Sequence, residues 1–265
     1  MNELVFVKLG GSLITDKTKP FTARMDVIKR LAREIHAAKK ERKLKVVVGH
    51  GGGSFPHVPA KKYEVHKGVV SPETYRGIAE VQDAASRLNR MVVESLMEAG
   101  ENAVSVQPSA CAVAKGGRIV HFDVKPMRRM LVENLLPVPY GDVVVDLEKG
   151  CAILSTEMIF DYLARKLKPS RIILAGITDG VFTSDPQLDR KAERIEEITP
   201  ANFEKIKSAL KGSAGIDVTG GMLHKVEILL GLAELGIPSI IINGLGEGNL
   251  KNALLGRKEG TAIHR

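Results

Sequence analysis

The chain has 265 residues, of which 44% are hydrophobic and 26% are charged. This composition excludes a disordered chain, and two cysteines, Cys111 and Cys151, are too few for a disulfide scaffold. The formal net charge of +8 raises the question of nucleic acid, but the chain has no Trp, few aromatic residues and no helix-turn-helix, zinc or RNA-binding signature. A basic pocket for a small anion explains the charge better.

Membrane and export signals are also missing from the sequence. No apolar stretch approaches the length of a membrane span, and the N-terminus lacks the basic and apolar regions of a secretory signal. The sequence therefore predicts a cytoplasmic location, with no membrane partner and no nucleic acid partner. The two cysteines are expected to be packing residues, because neither has a neighbouring signature that would activate a thiol.

Hydrophobic periodicity predicts strands that alternate with helices nearly throughout the chain. In the first half, the predicted strands are 4–9, 45–48, 103–106, 118–122, 135–140 and 143–147, and the predicted helices are 25–40 and 72–99. In the second half, strands are predicted at 152–154, 171–175, 239–242 and 261–263, and helices at 157–167, 221–235 and 250–255. This alternation indicates an α/β fold whose mainly parallel sheet is covered on both faces, with ligands at the carboxyl ends of the strands.

Three glycine-rich segments lie at the ends of these elements. Lys8–Ser12 (KLGGS) ends the first strand, Gly49–Ser54 (GHGGGS) ends the second, and Asp217–Met222 (DVTGGM) opens a helix. Glycines leave backbone amides bare, so that an anionic oxygen can approach them within hydrogen-bonding distance. The chain has no G-x-x-x-x-G-K-[ST] motif, and the glycines of 244–248 do not have dinucleotide-binding spacing. The three segments predict a phosphate site of another type.

Three lysines are candidates for contacts with a transferring phosphoryl group. Lys8 ends an otherwise apolar strand, Lys17 follows nine residues later, and Lys225 lies in the helix that begins at Gly220-Gly221. Phosphoryl transfer needs positive charge on the phosphate oxygens and in-line placement of donor and acceptor. We expect the three ammonium groups to converge around one phosphoryl group.

Two histidines, His50 and His57, lie on either side of the triglycine run Gly51–Gly53. His57 is better placed than His50 to donate a hydrogen bond to an anionic acceptor oxygen. A metal site formed by both histidines and an acidic residue is the alternative, but their spacing matches no pattern of a tight metal site. The segment Thr178–Pro186 follows a buried strand and is either a polar loop or a contact for a ribose or base.

Taken together, these motifs resemble the amino acid kinase superfamily, and within it the isopentenyl phosphate kinases. The resemblance runs nearly end to end and rests on Lys8–Ser12, Thr15–Lys17, His50–His57, Gln107–Ser109, Gly141-Asp142, Thr178–Val181 and Asp217–Lys225. It implies an open αβα sandwich with a mainly parallel central sheet, divided into an acceptor lobe at 1–150 and an ATP lobe at 151–265 on one continuous sheet. It also implies a homodimer that uses ATP and Mg²⁺ to phosphorylate isopentenyl phosphate, a small monophosphate, to its diphosphate.

The same resemblance implies roles for individual residues. Lys17, Lys8 and His57 would be catalytic. The ATP contacts would come from Lys8, Gly10, Gly11, Ser12, Gly53, Asp179, Gly221 and Lys225, and the acceptor contacts from Gly52, His57 and Thr156. No residue is assigned to a metal ion.

Two positions depart from the family pattern. Pro56 stands where the family has glycine before His57, which restricts the loop. Ser155-Thr156-Glu157 stands where the family has Ser-Gly-Asp, so Thr156 would crowd the acceptor phosphate. Two other functions therefore stay open, a kinase for a small phosphonate such as fosfomycin and a non-catalytic nucleotide or metabolite sensor on the same fold.

Overall fold

The structure is a computed structural model that describes residues 3–184, 186, 189, 191–212 and 221–265. The strands are β1 (Glu3–Leu9), β2 (Leu44–His50), β3 (Ala103–Val106), β4 (Ala112–Lys115), β5 (Arg118–Phe122), β6 (Leu136–Pro139), β7 (Asp142–Asp146), β8 (Gly150–Leu154), β9 (Arg171–Gly176), β10 (Val181–Phe182), β11 (Arg194–Ile195), β12 (Glu197–Ile198), β13 (Ser239–Asn243) and β14 (Thr261–Ile263). The helices are α1 (Gly11–Ile14), α2 (Met25–Glu41), α3 (His57–Lys62), α4 (Pro72–Glu98), α5 (Pro108–Cys111), α6 (Lys125–Val132), α7 (Thr156–Leu167), α8 (Pro200–Gly212), α9 (Gly221–Ala233) and α10 (Asn249–Leu254), with a 3₁₀ turn at Val65–Lys67.

A mainly parallel sheet forms the centre of the molecule. Its strand order is β12-β14-β13-β9-β1-β2, and β1, β2, β9 and β13 all run in the same direction. A bridge between His50 and Tyr140 places β6, which pairs with β3, beside β2. The carboxyl ends of the four parallel strands therefore share one edge of the sheet.

Strand β1 explains why helices cover both faces of this sheet. Val5, Val7 and Leu9 belong to one buried core, which includes apolar side chains of α2 and α4. Phe6 belongs to a second core, which includes apolar side chains of α7 and α9. Successive side chains of a strand point to opposite faces, so Lys8 lies on the face of Phe6. The predicted αβα sandwich with a mainly parallel sheet is confirmed.

Most predicted elements occur within one or two residues of their predicted bounds. The sequence reasoning missed α1, α3, α5, α6 and α8, of which all but α8 have eight residues or fewer. Helices this short depend on tertiary packing more than on their own propensity, so periodicity indicates them weakly. No helix in the described ranges has an apolar stretch long enough to cross a membrane.

Candidate active site

Two glycine loops meet at the carboxyl edge of the sheet. The first glycine loop (Gly10–Ser12) follows β1 and the second (Gly51–Ser54) follows β2. The Gly51 amide donates to the carbonyl of Leu9 at 2.9 Å, and a Cβ atom on Gly11 would lie 2.5 Å from the backbone nitrogen of Gly53. A side chain at Gly11 would therefore force the two backbones apart.

Thr15 fixes the relative position of the two loops. Its hydroxyl donates to the Gly11 carbonyl at 2.8 Å and accepts from the Ser54 amide at 3.0 Å, and the residue is completely buried. Gly53 has a φ of +53°, a conformation that glycine adopts readily. The loops are thus held in place by the protein itself.

A buried ion pair lies behind the first glycine loop. The Lys8 ammonium, on the α7 and α9 face of β1, forms a hydrogen-bonded salt bridge with Glu157 in the first turn of α7. Both residues are only 8% exposed, and Phe160, Leu174 and Leu229 line a small cavity beside them. In such apolar surroundings, an unpaired charge at either position would be strongly unfavourable.

Lys225 on α9 acts on the same carboxylate. Burial raises the pKa of Glu157, but the positive charges of Lys8 and Lys225 outweigh burial, and the pKa is lowered overall. Glu157 is therefore ionised at neutral pH and lies within the electrostatic reach of two lysines from opposite ends of the sequence. The structure brings these two predicted cations together at the sheet edge.

The two histidines of the second loop have different surroundings. His50 is buried and its ring stacks on Tyr140 at 5.5 Å between centroids. Its Nε2 lies 3.1 Å from the Asn89 amide nitrogen and its Nδ1 lies 3.2 Å from the Gly51 carbonyl oxygen. Burial lowers the pKa of His50 to about 4, so the ring is neutral. An Nδ1-protonated tautomer satisfies both contacts.

His57 is exposed and is the first residue of α3, which follows the second glycine loop after Phe55 and Pro56. Pro56, which stands before it, packs over the loop so closely that a Cβ atom on Gly52 would lie 2.1 Å from the Pro56 ring. The proline thus helps to fix the entry into α3. Of the two histidines, His57 is the one whose side chain reaches solvent.

Thr156 does not present its hydroxyl to an open pocket. It is 1% exposed, and its hydroxyl donates to the carbonyl of His50 at 2.6 Å. Its methyl group faces Gly49, where a Cβ atom would lie 2.7 Å from it. Ser155 caps α7 by accepting from the Met158 amide at 3.2 Å. In this arrangement, Thr156 joins α7 to the end of β2, directly before the second glycine loop.

The other predicted site residues are more dispersed. Lys17 is exposed in a turn after α1, and Asp179 is exposed after β9. Gly221, with a φ of +64°, begins α9. The motif residues 217–220 lie outside the described residues. Lys8 and Lys225 both act on Glu157, whereas Lys17 lies at the surface. The convergence of the three ammonium groups around one phosphoryl group stays a prediction.

A second polar cluster lies between α4, α5 and β7, and sequence reasoning assigned it no role. The Ser109 hydroxyl accepts from Gln82 at 2.7 Å and from Gln107 at 2.9 Å, and the Ser109 amide donates to Asp142 at 3.0 Å. Burial raises the pKa of Asp142. The motifs Gln107–Ser109 and Gly141-Asp142 were visible in the sequence, but their contact depends on the fold.

Comparison with known proteins identifies the family. Residues 3–243 match the profile of the amino acid kinase family. The chain belongs to the amino acid kinase family. Within that family, it is 37% identical to an isopentenyl phosphate kinase of Methanocaldococcus jannaschii and 37% identical to one of Methanothermobacter thermautotrophicus, with 98% of each chain covered in both alignments.

A solved member of the amino acid kinase family has the same overall architecture. This structure, described as an isopentenyl phosphate kinase, superimposes with a TM-score of 0.84 at 34% identity and covers 98% of this chain and 99% of its own. The two chains therefore correspond in fold along their whole length. Among the described residues, no group of three or more His, Cys, Asp or Glu side chains is placed to hold a metal ion.

Proposed function

We propose that this chain is an ATP-dependent phosphotransferase that converts isopentenyl phosphate to isopentenyl diphosphate. The observation that carries the proposal is the position of Lys8, Lys225 and the two glycine loops at one edge of the sheet, with His57 beside them. Cations and bare amides are the groups that phosphoryl transfer requires. The near full-length similarity to isopentenyl phosphate kinases supports this acceptor.

In the proposed reaction, an oxygen of the acceptor monophosphate attacks the γ-phosphorus of ATP. The bond from that phosphorus to the β,γ-bridging oxygen breaks, and ADP leaves with the electron pair. The amides of Gly11 and Ser12, with those of Gly52 and Gly53, would bind the phosphates of donor and acceptor. The Gly10 amide already donates to the Ala175 carbonyl at 2.8 Å, so Gly10 would contribute to the ATP site through the close approach of its backbone. His57 would donate a hydrogen bond to the acceptor phosphate.

The lysines have different proposed tasks. Lys8 is bound to Glu157 and Lys225 acts on the same carboxylate. Glu157 would thus orient both ammonium groups toward the ATP phosphates, whose charge they would neutralise. Lys17 is exposed on its turn and would act on the phosphoryl group in transit. Gly221 and Asp179 would contact the nucleotide. Thr156 would contribute to the acceptor site through its position at the start of α7, since its hydroxyl is already bonded.

Further parts of the proposal follow from the family resemblance. Residues 1–150 would form the acceptor lobe and 151–265 the ATP lobe, and the enzyme would be a homodimer. Mg²⁺ would bind chiefly through the ATP phosphates, neutralising charge on them, since the described residues offer no cluster of three ligands. A cytoplasmic location remains a prediction.

The decisive experiment offers purified enzyme, ATP and Mg²⁺ a panel of acceptors and measures ADP formation and the phosphorylated product by mass spectrometry. The panel contains isopentenyl phosphate, fosfomycin and acetylglutamate. We expect turnover on isopentenyl phosphate. Turnover on fosfomycin alone would support the phosphonate kinase instead, and ATP binding without any product would support the sensor.

Lys17→Ala tests the catalytic assignment within the same assay. We expect kcat to fall by about 10²-fold or more with little change in the Kd for ATP, because the contact strengthens in the transition state. Lys19→Ala is the matched control, since Lys19 is an exposed lysine of the same turn. Equal losses in ATP affinity and turnover would mean that Lys17 only holds ground-state nucleotide.

A further inference from the structure

The turn that carries Lys17 is a closed loop, and Phe21 has an unusual backbone conformation within it. The loop is closed by a bridge between Thr15 and Ala23 and by the Asp16 amide, which donates to the Thr22 carbonyl at 2.9 Å. Phe21 has a φ of +51°. A bulky side chain rarely adopts this left-handed conformation, and it persists only where surrounding contacts impose it.

The contacts that impose it come from the second glycine loop and from α4. The Phe21 amide donates to the Ser54 carbonyl at 3.3 Å. The ring meets Phe55 edge-on, with centroids 6.0 Å apart, and the Arg87 guanidinium lies over it at 5.4 Å. Phe55 is 2% exposed, so the Phe21 ring packs against a side chain that is itself buried in the core.

Burial of the Phe21 ring contributes little to stabilising its left-handed backbone conformation. Phe21 stays 41% exposed, so it gains less from the hydrophobic effect than a core phenylalanine would. The main effect of the Phe21 ring is on geometry, because the ring attaches the Lys17 turn to the second glycine loop, whose amides are proposed to bind the acceptor. Backbone strain held at a loop beside a candidate site indicates a positional requirement.

We infer that Phe21 is a positioning residue for Lys17. The Phe21 ring packs between Phe55 and Arg87 and fixes the Lys17 turn against the second glycine loop. The Lys17 ammonium group is thereby preorganised for its contact with the phosphoryl group. This inference rests on the role of Lys17 under the proposed function. It predicts that Phe21 matters for turnover only while Lys17 is present.

A double-mutant cycle tests this dependence. Phe21→Gly removes the ring but still accepts the left-handed backbone conformation, so it separates loss of the clamp from loss of the fold. We expect Phe21→Gly to lower kcat by about tenfold in the enzyme with Lys17 and by less than about twofold in the Lys17→Ala background. Phe21→Tyr keeps the ring and should keep the wild-type rate.

Two further variants test the same dependence on Lys17 and control for the loss of a surface side chain. Arg87→Ala removes one side of the clamp from an exposed position and should give a smaller loss of kcat that also disappears in the Lys17→Ala background. Val132→Ala, at an exposed apolar residue of α6, controls for surface truncation. Equal losses of kcat with and without Lys17, or a wild-type rate for Phe21→Gly, would overturn the inference. Undiminished turnover by Lys17→Ala would instead overturn the role of Lys17, and this inference with it.

Discussion

Two pairs of glycines, one pair in each half of the molecule, have opposite surroundings. In the N-terminal half, a Cβ atom on Gly11 or Gly53 would lie within 3 Å of backbone atoms of the facing loop. In the C-terminal half, a Cβ atom on Gly176 or Gly221 would find nothing within 4 Å among the described residues. The first pair packs the protein against itself, whereas at the second pair no atom of the described residues takes the place of a side chain.

The largest expected effect comes from filling the packed position. Gly11→Ala places a methyl group 2.5 Å from the Gly53 nitrogen, so the two loops must separate. Displacement of catalytic groups by about 1 Å can cost about 10²-fold in rate, and overpacking costs about 1–3 kcal/mol of stability. We expect both losses, measured as kcat and as the free energy of unfolding in urea.

Gly176→Ala is the matched change at the open position. We expect its free energy of unfolding to stay within about 0.5 kcal/mol of wild type, with a raised KM for ATP as the main effect. A stable, fully active Gly11→Ala enzyme would contradict the packed character of the N-terminal loops. A large stability loss in Gly176→Ala would show that the open space is filled by the protein.

Glu157 links the two halves, and its substitution gives the next largest effect on kcat but a larger effect on stability. Glu157→Gln removes the carboxylate charge from the buried ion pair with Lys8, and breaking a buried pair typically costs about 3–5 kcal/mol. We expect that loss in urea unfolding and a fall in kcat of about tenfold or more, since Lys8 loses its fixed position. Asp161→Asn on the same helix removes the partner of Arg165 at the surface and should cost less than about 1 kcal/mol.

The pairing of Lys8 with Glu157 also marks the limit of sequence reasoning. Alternation along β1 placed Lys8 at the end of a buried strand, and the glycine loops, α2, α4 and α9 followed from local patterns. The ion pair joins residues 149 positions apart, so no local pattern indicates it. For the same reason, the bond from Thr156 to the His50 carbonyl was not foreseen, although Thr156 was recognised as a departure from the family.

The smallest expected effect concerns the pH dependence of the free energy of unfolding. It distinguishes the buried His50 from His264, which lies at the surface. Burial lowers the pKa of His50 from 6.5 to about 4, so the unfolded chain takes up its proton first as the pH falls. The stabilisation is complete above pH 6.5 and is lost progressively between about pH 6.5 and pH 4. Linkage gives a loss of about 2 kcal/mol from pH 7 to pH 5 for this residue.

Urea unfolding at about pH 7 and pH 5 measures this contribution. His50→Asn lowers stability at both values, because it breaks the buried contacts, but the difference between the two values should shrink by about 2 kcal/mol. His264→Asn is the control with the opposite sign. The pKa of His264 is raised by hydrogen bonds with the Arg265 carbonyl and Glu197, so its stabilisation is present at low pH and lost as the pH rises. An unchanged pH difference in His50→Asn would mean that the ring is already protonated, or solvated, in the native state.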